Sequence, residues 1–354
     1  MTDKMRERER ERIHIALSPW DLTDDYNRHA GVTMLSALDH CSYPAVVHLL
    51  YDANLSLGKE KEEAYNKACY QKIADRYGCE LHYHHVNLPE WVYELETVKK
   101  WTPGTLMRLY LPEILPNVQE VLYLDCDMVV QTNLDPLFET QLNENYLAAC
   151  LDDAIKIFSR KRKKTYRKVG ISKDNYFCAG ILVMNLEALR NLTPHSFTDI
   201  IFTYLKENPS LPYLDQDMLN WFCQDKYVRL DDKMNIYVNR SDAIDNMNDC
   251  ILHYINKDGK PWRRYHGIID EPYWNYLMDT PWCYDKTNLA NYIREAPDVE
   301  NAIPYLKDNF LLYISGNKKD KAKKLITFTI HIWYSVYLWI LTEMKHIMSK
   351  IGLL

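Results

Sequence analysis

Three short apolar runs, at residues 13–17 (IHIAL), 45–51 (AVVHLLY) and 81–86, are separated by stretches of helical spacing, and this alternation narrows the fold more than any other feature. Between the first two, residues 31–38 read as a helix. Between the second and third, residues 59–77 set Ala64, Ala68 and Ile73 at roughly helical intervals before Gly78 stops the element. Strands that alternate with helices predict an α/β fold with a mainly parallel sheet. Two further buried strands are expected at 121–124 (VLYL) and 181–184 (ILVM), and a helix at 217–222. A chain of 354 residues, 47% of them hydrophobic, has material for a sizeable core, and no repeat of fixed period divides it.

The run VLYL stops abruptly at Asp125-Cys126-Asp127. In extended backbone, residues two apart point the same way, so both carboxylates can face one cation. Open α/β sheets bind ligands beyond the carboxyl ends of their strands, and oxygen ligands suit a hard ion such as Mg2+ or Mn2+. Spacing alone leaves alternatives open. It recurs at Asp215-Gln216-Asp217, where a helix is about to start and aspartate also serves as a cap favoured by the dipole. A strand followed by DxDxV, as at 125–129, also fits the nucleophile motif of haloacid-dehalogenase-type phosphatases, in which the first aspartate attacks phosphorus. That motif usually opens its domain, whereas here several elements precede it.

A net charge of −6 argues against a nucleic-acid partner, because neutralising phosphates needs a broad basic face. The nine cysteines are scattered without a CxxC pair, which fits reduced thiols better than disulfides or a zinc site. The first twelve residues, MTDKMRERERER, form a charged leader with no apolar core, so a cytoplasmic location is expected.

Six segments occur in a fixed order: DDYNRHAGV (24–32), MRLYLPEILP (107–116), VLYLDCDMVV (121–130), FCAGILVMNL (177–186), YLDQDMLN (213–220) and HYINKDGKPW (253–262). Through them the chain resembles glycosyltransferase family 8, the retaining group that includes glycogenin and bacterial lipopolysaccharide galactosyl- and glucosyltransferases. The resemblance implies a GT-A nucleotide-diphospho-sugar fold over residues 13–282. It implies that Asp125, Asp127 and His253 ligate Mn2+ (or Mg2+), and that Lys260 neutralises the diphosphate of a UDP-sugar, with Gly259 or Asn256 at the phosphate approach. Tyr26 takes the place of a residue that stacks on uracil, Asp25 meets the nucleoside, and Arg108 reaches the donor sugar and phosphate. Asp152 and Asp215 match carboxylates that bind the transferred sugar, alongside Cys178, Ala179 and Gly180, and Gln216 sits near the anomeric carbon. An amide is a poor nucleophile, so front-face substitution with retention is expected.

Three departures from the family pattern bear on sugar identity. Cys178 stands where asparagine is common, the His253–Lys260 interval is one residue longer, and extra residues lie between Ser18 and Asp24. Outside the core of the resemblance, residues 160–164 (RKRKK) with Arg167 and Lys168 form a basic run, either a solvated loop or a surface for anionic acceptors. Residues 283–317 are expected to form a helical extension. A lysine-rich segment then leads into 325–341 (LITFTIHIWYSVYLWIL), which carries no formal charge. A helix of that length spans only about 25 Å, and its Trp and Tyr content favours the headgroup zone. Residues 318–354 are therefore expected to lie on an anionic membrane surface, with a span or a docked helix as alternatives. The function expected is hexosyl transfer of glucose or galactose from UDP-hexose to a glycan or glycolipid acceptor. A metal-dependent phosphatase and a non-catalytic sugar-nucleotide-binding module are the competing readings, and oligomeric state stays open.

Overall fold

The computed structural model describes residues 12–20, 24–152, 166–172, 175–238, 247–255, 259–263 and 268–284. The residues 160–164 of the basic run, Asn256 and the expected extension and tail beyond 284 lie outside the described residues. No helix among the described residues is long and apolar enough to cross a membrane.

A seven-stranded sheet in the order β3-β2-β1-β4-β7-β6-β8 forms the centre of the first compact unit, which holds the described residues up to 236 and 248–253. The strands are β1 (Ile13–Trp20), β2 (Ala45–Asp52), β3 (Glu80–Val86), β4 (Glu120–Leu124), β6 (Leu147–Leu151), β7 (Phe177–Asn185) and β8 (Tyr227–Arg229). β1 runs parallel to β2 and β4, and β2 to β3, while β7 is antiparallel to both β4 and β6. The mixed but mainly parallel α/β arrangement matches the expected fold class. β2 is buried along its whole length, as a strand covered on both faces must be, whereas β3 exposes alternate residues at the edge.

Two helices connect the first three strands. α1 (Asp24–Asp39) begins well before the apolar stretch that made 31–38 legible, because Asn27, Arg28 and His29 are buried polar residues that break the sequence pattern. α2 (Glu60–Tyr77) ends at Gly78, whose φ of 61° is the left-handed conformation that lets its N–H reach back to Ala74 and Asp75. α3 (Phe197–Glu207) and α4 (Leu214–Cys223) belong to a core with Leu106, Leu109, Tyr123, Phe177, Leu182 and Met218.

β4 turns at Asp125 into the short β5 (Met128–Val130), and β5 pairs antiparallel with the strand Ile251–His253, placing His253 opposite Met128. The second unit contains the remaining described residues. In it α5 (Glu271–Met278) carries Tyr273 against Tyr254 and Trp262, and the Tyr254 hydroxyl donates to the Ile269 carbonyl at 2.7 Å.

Candidate metal and donor site

The bend between β4 and β5 has a wall on each side. The β4–β7 ladder continues one residue beyond the strand, with the Asp125 N–H donating to the Gly180 carbonyl at 2.8 Å. On the other side β5 is clamped to the strand that ends in His253. Thr33 of α1 secures the turn from below, its hydroxyl donating to the Met128 carbonyl at 2.8 Å. These anchors bring one ligand atom each from Asp125, Asp127 and His253 to within 4.8 Å of one another. His253 Nε2 lies 3.2 Å from Asp127 Oδ1 and 3.7 Å from Asp125 Oδ2. Two carboxylates and an imidazole suit a divalent ion of intermediate hardness such as Mn2+.

Gly180 explains how the three groups fit. A Cβ at that position would overlap the His253 ring and crowd the Asp125 carboxylate. The glycine thus contributes the empty volume into which the imidazole packs.

Arg108 is buried and fully engaged. Its Nη2 donates to Asp125 Oδ1 at 2.8 Å, its Nε lies 3.0 Å from the Thr105 carbonyl and 3.2 Å from Asp215 Oδ2, and its Nη1 donates to the Ala179 carbonyl. The guanidinium also lies over the Tyr123 ring. Burial works to lower its pKa, but the carboxylates of Asp125 and Asp215 prevail and hold it above the ordinary arginine value. Burial likewise pushes the Asp215 carboxyl up to about 6, opposed by Arg108 and reinforced by Asp125.

The second aspartate pair divides its roles. Asp215 joins Arg108, while Asp217 Oδ2 accepts the Tyr213 N–H at 2.8 Å at the start of α4, which is the capping alternative realised for one residue of the two. Between them, the Gln216 amide is fixed at both ends. Its Oε1 accepts from Ala179 N–H at 3.0 Å, and its Nε2 donates to Asp152 Oδ2 at 3.0 Å and to the Tyr176 hydroxyl at 3.2 Å. Tyr176 in turn donates to Asp217 Oδ1 at 2.5 Å.

Tyr26 is half-buried, edge-on to Trp20 and His29. Asp25 lies in the first turn of α1, and its side chain is outside the described residues. Cys178 is buried, with its sulfur 3.4 Å from the Gly180 N–H. In the second unit, Gly259 allows the backbone to close on the Ile255 carbonyl, where a Cβ would collide, and Lys260 is buried with its ammonium over the Trp262 ring. Sequence reading missed Thr33, Tyr176 and Asn235, whose Oδ1 lies 2.8 Å from His253 Nδ1. No short motif marks these positions.

The family model described as Glycosyl transferase family 8 matches residues 19–266. The chain belongs to glycosyl transferase family 8. That membership removes the phosphatase alternative. A putative glycosyltransferase of Haemophilus influenzae is 28% identical over 183 residues, covering 52% of this family 8 chain and 54% of the relative. The chain therefore spans about half the length of that curated relative. The lipopolysaccharide glucosyltransferase WaaO of Escherichia coli is 27% identical over 239 residues, covering 62% of this chain and 69% of that protein. The crystal structure of the galactosyltransferase LgtC in complex with donor and acceptor sugar analogs shares the fold, with a TM-score of 0.58 at 22% identity over 76% of this chain and 96% of that one.

Proposed function

We propose that this family 8 member transfers glucose or galactose from a UDP-sugar to a saccharide acceptor with retention of configuration, using Mn2+ or Mg2+ held by Asp125, Asp127 and His253. The observation that carries the reading is the convergence of those three ligand atoms within 4.8 Å at the carboxyl end of β4. A divalent ion bound there supplies Lewis-acid stabilisation of the diphosphate leaving group.

The chain's own residues prepare the site. Arg108 holds Asp125 and Asp215 in fixed orientation and adds a buried positive charge beside them. Asp152 and Asp215 are the carboxylates proposed to bind the transferred sugar's hydroxyls, and a buried carboxylate left unpaired by the wrong epimer is how such a site discriminates. The Gln216 amide is engaged at both its oxygen and its nitrogen, which favours a front-face route over attack by that side chain. Lys260 and Gly259 are proposed for the diphosphate, and Tyr26 with Asp25 for the nucleoside.

The name of the Escherichia coli relative points to lipopolysaccharide, so a lipid-linked or cell-surface saccharide is the proposed acceptor. Association with the cytoplasmic face of a membrane, through residues 318–354, rests on their basic and aromatic sequence. The deciding assay is turnover of UDP-Glc, UDP-Gal and their N-acetyl forms with and without Mn2+. One hexose donor should be consumed only with the ion present. Undiminished transfer by an Asp125→Ala, Asp127→Ala double variant would remove the metal from the reading.

A further inference from the structure

We propose that Asn235 is a positioning residue that fixes His253 in the one tautomer able to bind a metal ion. The inference rests on the metal-site reading above. Both side chains are buried, at 6% and 3% exposure, and Asn235 Oδ1 lies 2.8 Å from His253 Nδ1. A neutral imidazole carries one proton, and its other nitrogen is an acceptor. An oxygen facing Nδ1 places the proton there, so Nε2 presents its lone pair toward Asp125 and Asp127. The opposite tautomer would set two acceptors against each other at Nδ1. It would also direct an N–H from Nε2 at Asp127 Oδ1, 3.2 Å away, leaving the ring nothing with which to ligate.

The scaffold around Asn235 is built for a fixed position. It ends the 3-10 turn Asp232–Asn235, whose start is capped by Asp231 accepting the Lys233 N–H at 2.9 Å. Lys233 reaches Asp249 at 3.1 Å, and Asp249 accepts from Thr132 at 2.5 Å. The turn is thereby tied, through Asp249 just before the strand of His253, to Thr132 just after β5. The Asn235 Nδ2 donor, by contrast, is buried with no hydrogen-bond partner among the described residues. A buried donor left unpaired is destabilising. Its retention fits a residue kept for its oxygen, since ligating histidines need a partner on the second ring nitrogen.

The test uses the full chain and two variants. Mn2+ binding is measured by titration calorimetry, the His253 tautomer by long-range 15N–1H correlation of the metal-free protein, and folding by thermal unfolding in EDTA. Asn235→Asp keeps an acceptor of the same shape and should bind Mn2+ at least as tightly as wild type. Asn235→Leu, which has no acceptor, should lose roughly 10–100-fold in affinity and shift the ring toward the Nε2–H form. Wild-type affinity in the leucine variant would overturn the proposal. So would a tenfold loss in the aspartate variant, which tests it even where leucine prevents folding. Absence of Mn2+ binding by the wild type would instead sink the metal-site reading, and this inference with it.

Discussion

At position 180 a single methyl group is expected to matter because it would take the volume occupied by the His253 ring. Gly180→Ala should weaken Mn2+ binding by on the order of tenfold, the range seen when a ligand's support is disturbed, while far-UV circular dichroism stays unchanged. Equal affinity in calorimetry would show that the ring moves aside without cost. Asp215 makes a second prediction. Its folded pKa of about 6 lies above the ordinary 3.8, so the native state favours the protonated form. That stabilising contribution is complete at pH values below 3.8 and lost as pH rises through about 6. In EDTA, the stability of wild type relative to Asp215→Asn should fall by on the order of 3 kcal/mol between about pH 4 and pH 7, at about 1.4 kcal/mol per unit. A difference that stays flat in denaturant titrations across that range would contradict it. The aspartate pair at 125 and 127 was legible because it closes an apolar strand, although the two residues lie at a turn and not in the extended backbone that their spacing suggests. Asn235 was not, since an asparagine ending a 3-10 turn looks like any other loop polar residue until the chain brings it to a distant histidine.

The elements show a similar division. β1, β2 and the helix between β2 and β3 could be read from apolar runs and a glycine stop. The reversed direction of β7 could not, because an apolar run such as ILVM carries no orientation and the chain reaches it through a long connection. Nor could the histidines that line one face of the first three strands. His14 Nδ1 lies 2.9 Å from His48 Nε2, and His48 Nδ1 lies 3.0 Å from His84 Nε2, with His82 stacked beside His48. Glu80, paired with Arg12 and His82, is the carboxylate at this end of the edge strand. Burial, then the neighbouring rings of His14, His84 and His82, push His48 down to about 2 from 6.5. Because the folded value is depressed, the stability held by neutral His48 is present above pH 6.5 and declines as pH falls toward 2. His48→Gln should therefore lose less stability than wild type between about pH 7 and pH 5, where one such group contributes up to about 1.4 kcal/mol per unit. Parallel acid sensitivity of the two proteins in urea unfolding would rule this out.

For the whole molecule, the family match extends from residue 19 to 266 and so includes parts of both compact units. The acceptor side is the part the sequence describes least, because none of the six ordered segments is assigned to it. Removal of residues 318–354 should release the protein from anionic vesicles in a flotation assay while UDP-hexose hydrolysis continues. Retention on the vesicles would assign membrane contact to another surface.

The bend between β4 and β5 has a further consequence for folding. Its carboxylate pair at 125 and 127 and its imidazole at 253 are far apart in the chain and meet only once the β4–β7 ladder and the pairing of β5 with the strand 251–253 have formed. An ion that joins them acts as a rivet across sequence-distant segments, with almost nothing to grip in the unfolded polypeptide. Melting temperature should accordingly climb with Mn2+ concentration, as stability gains about 2.7 kcal/mol at a hundredfold excess over the dissociation constant, and a chelator should return the protein to its unriveted state.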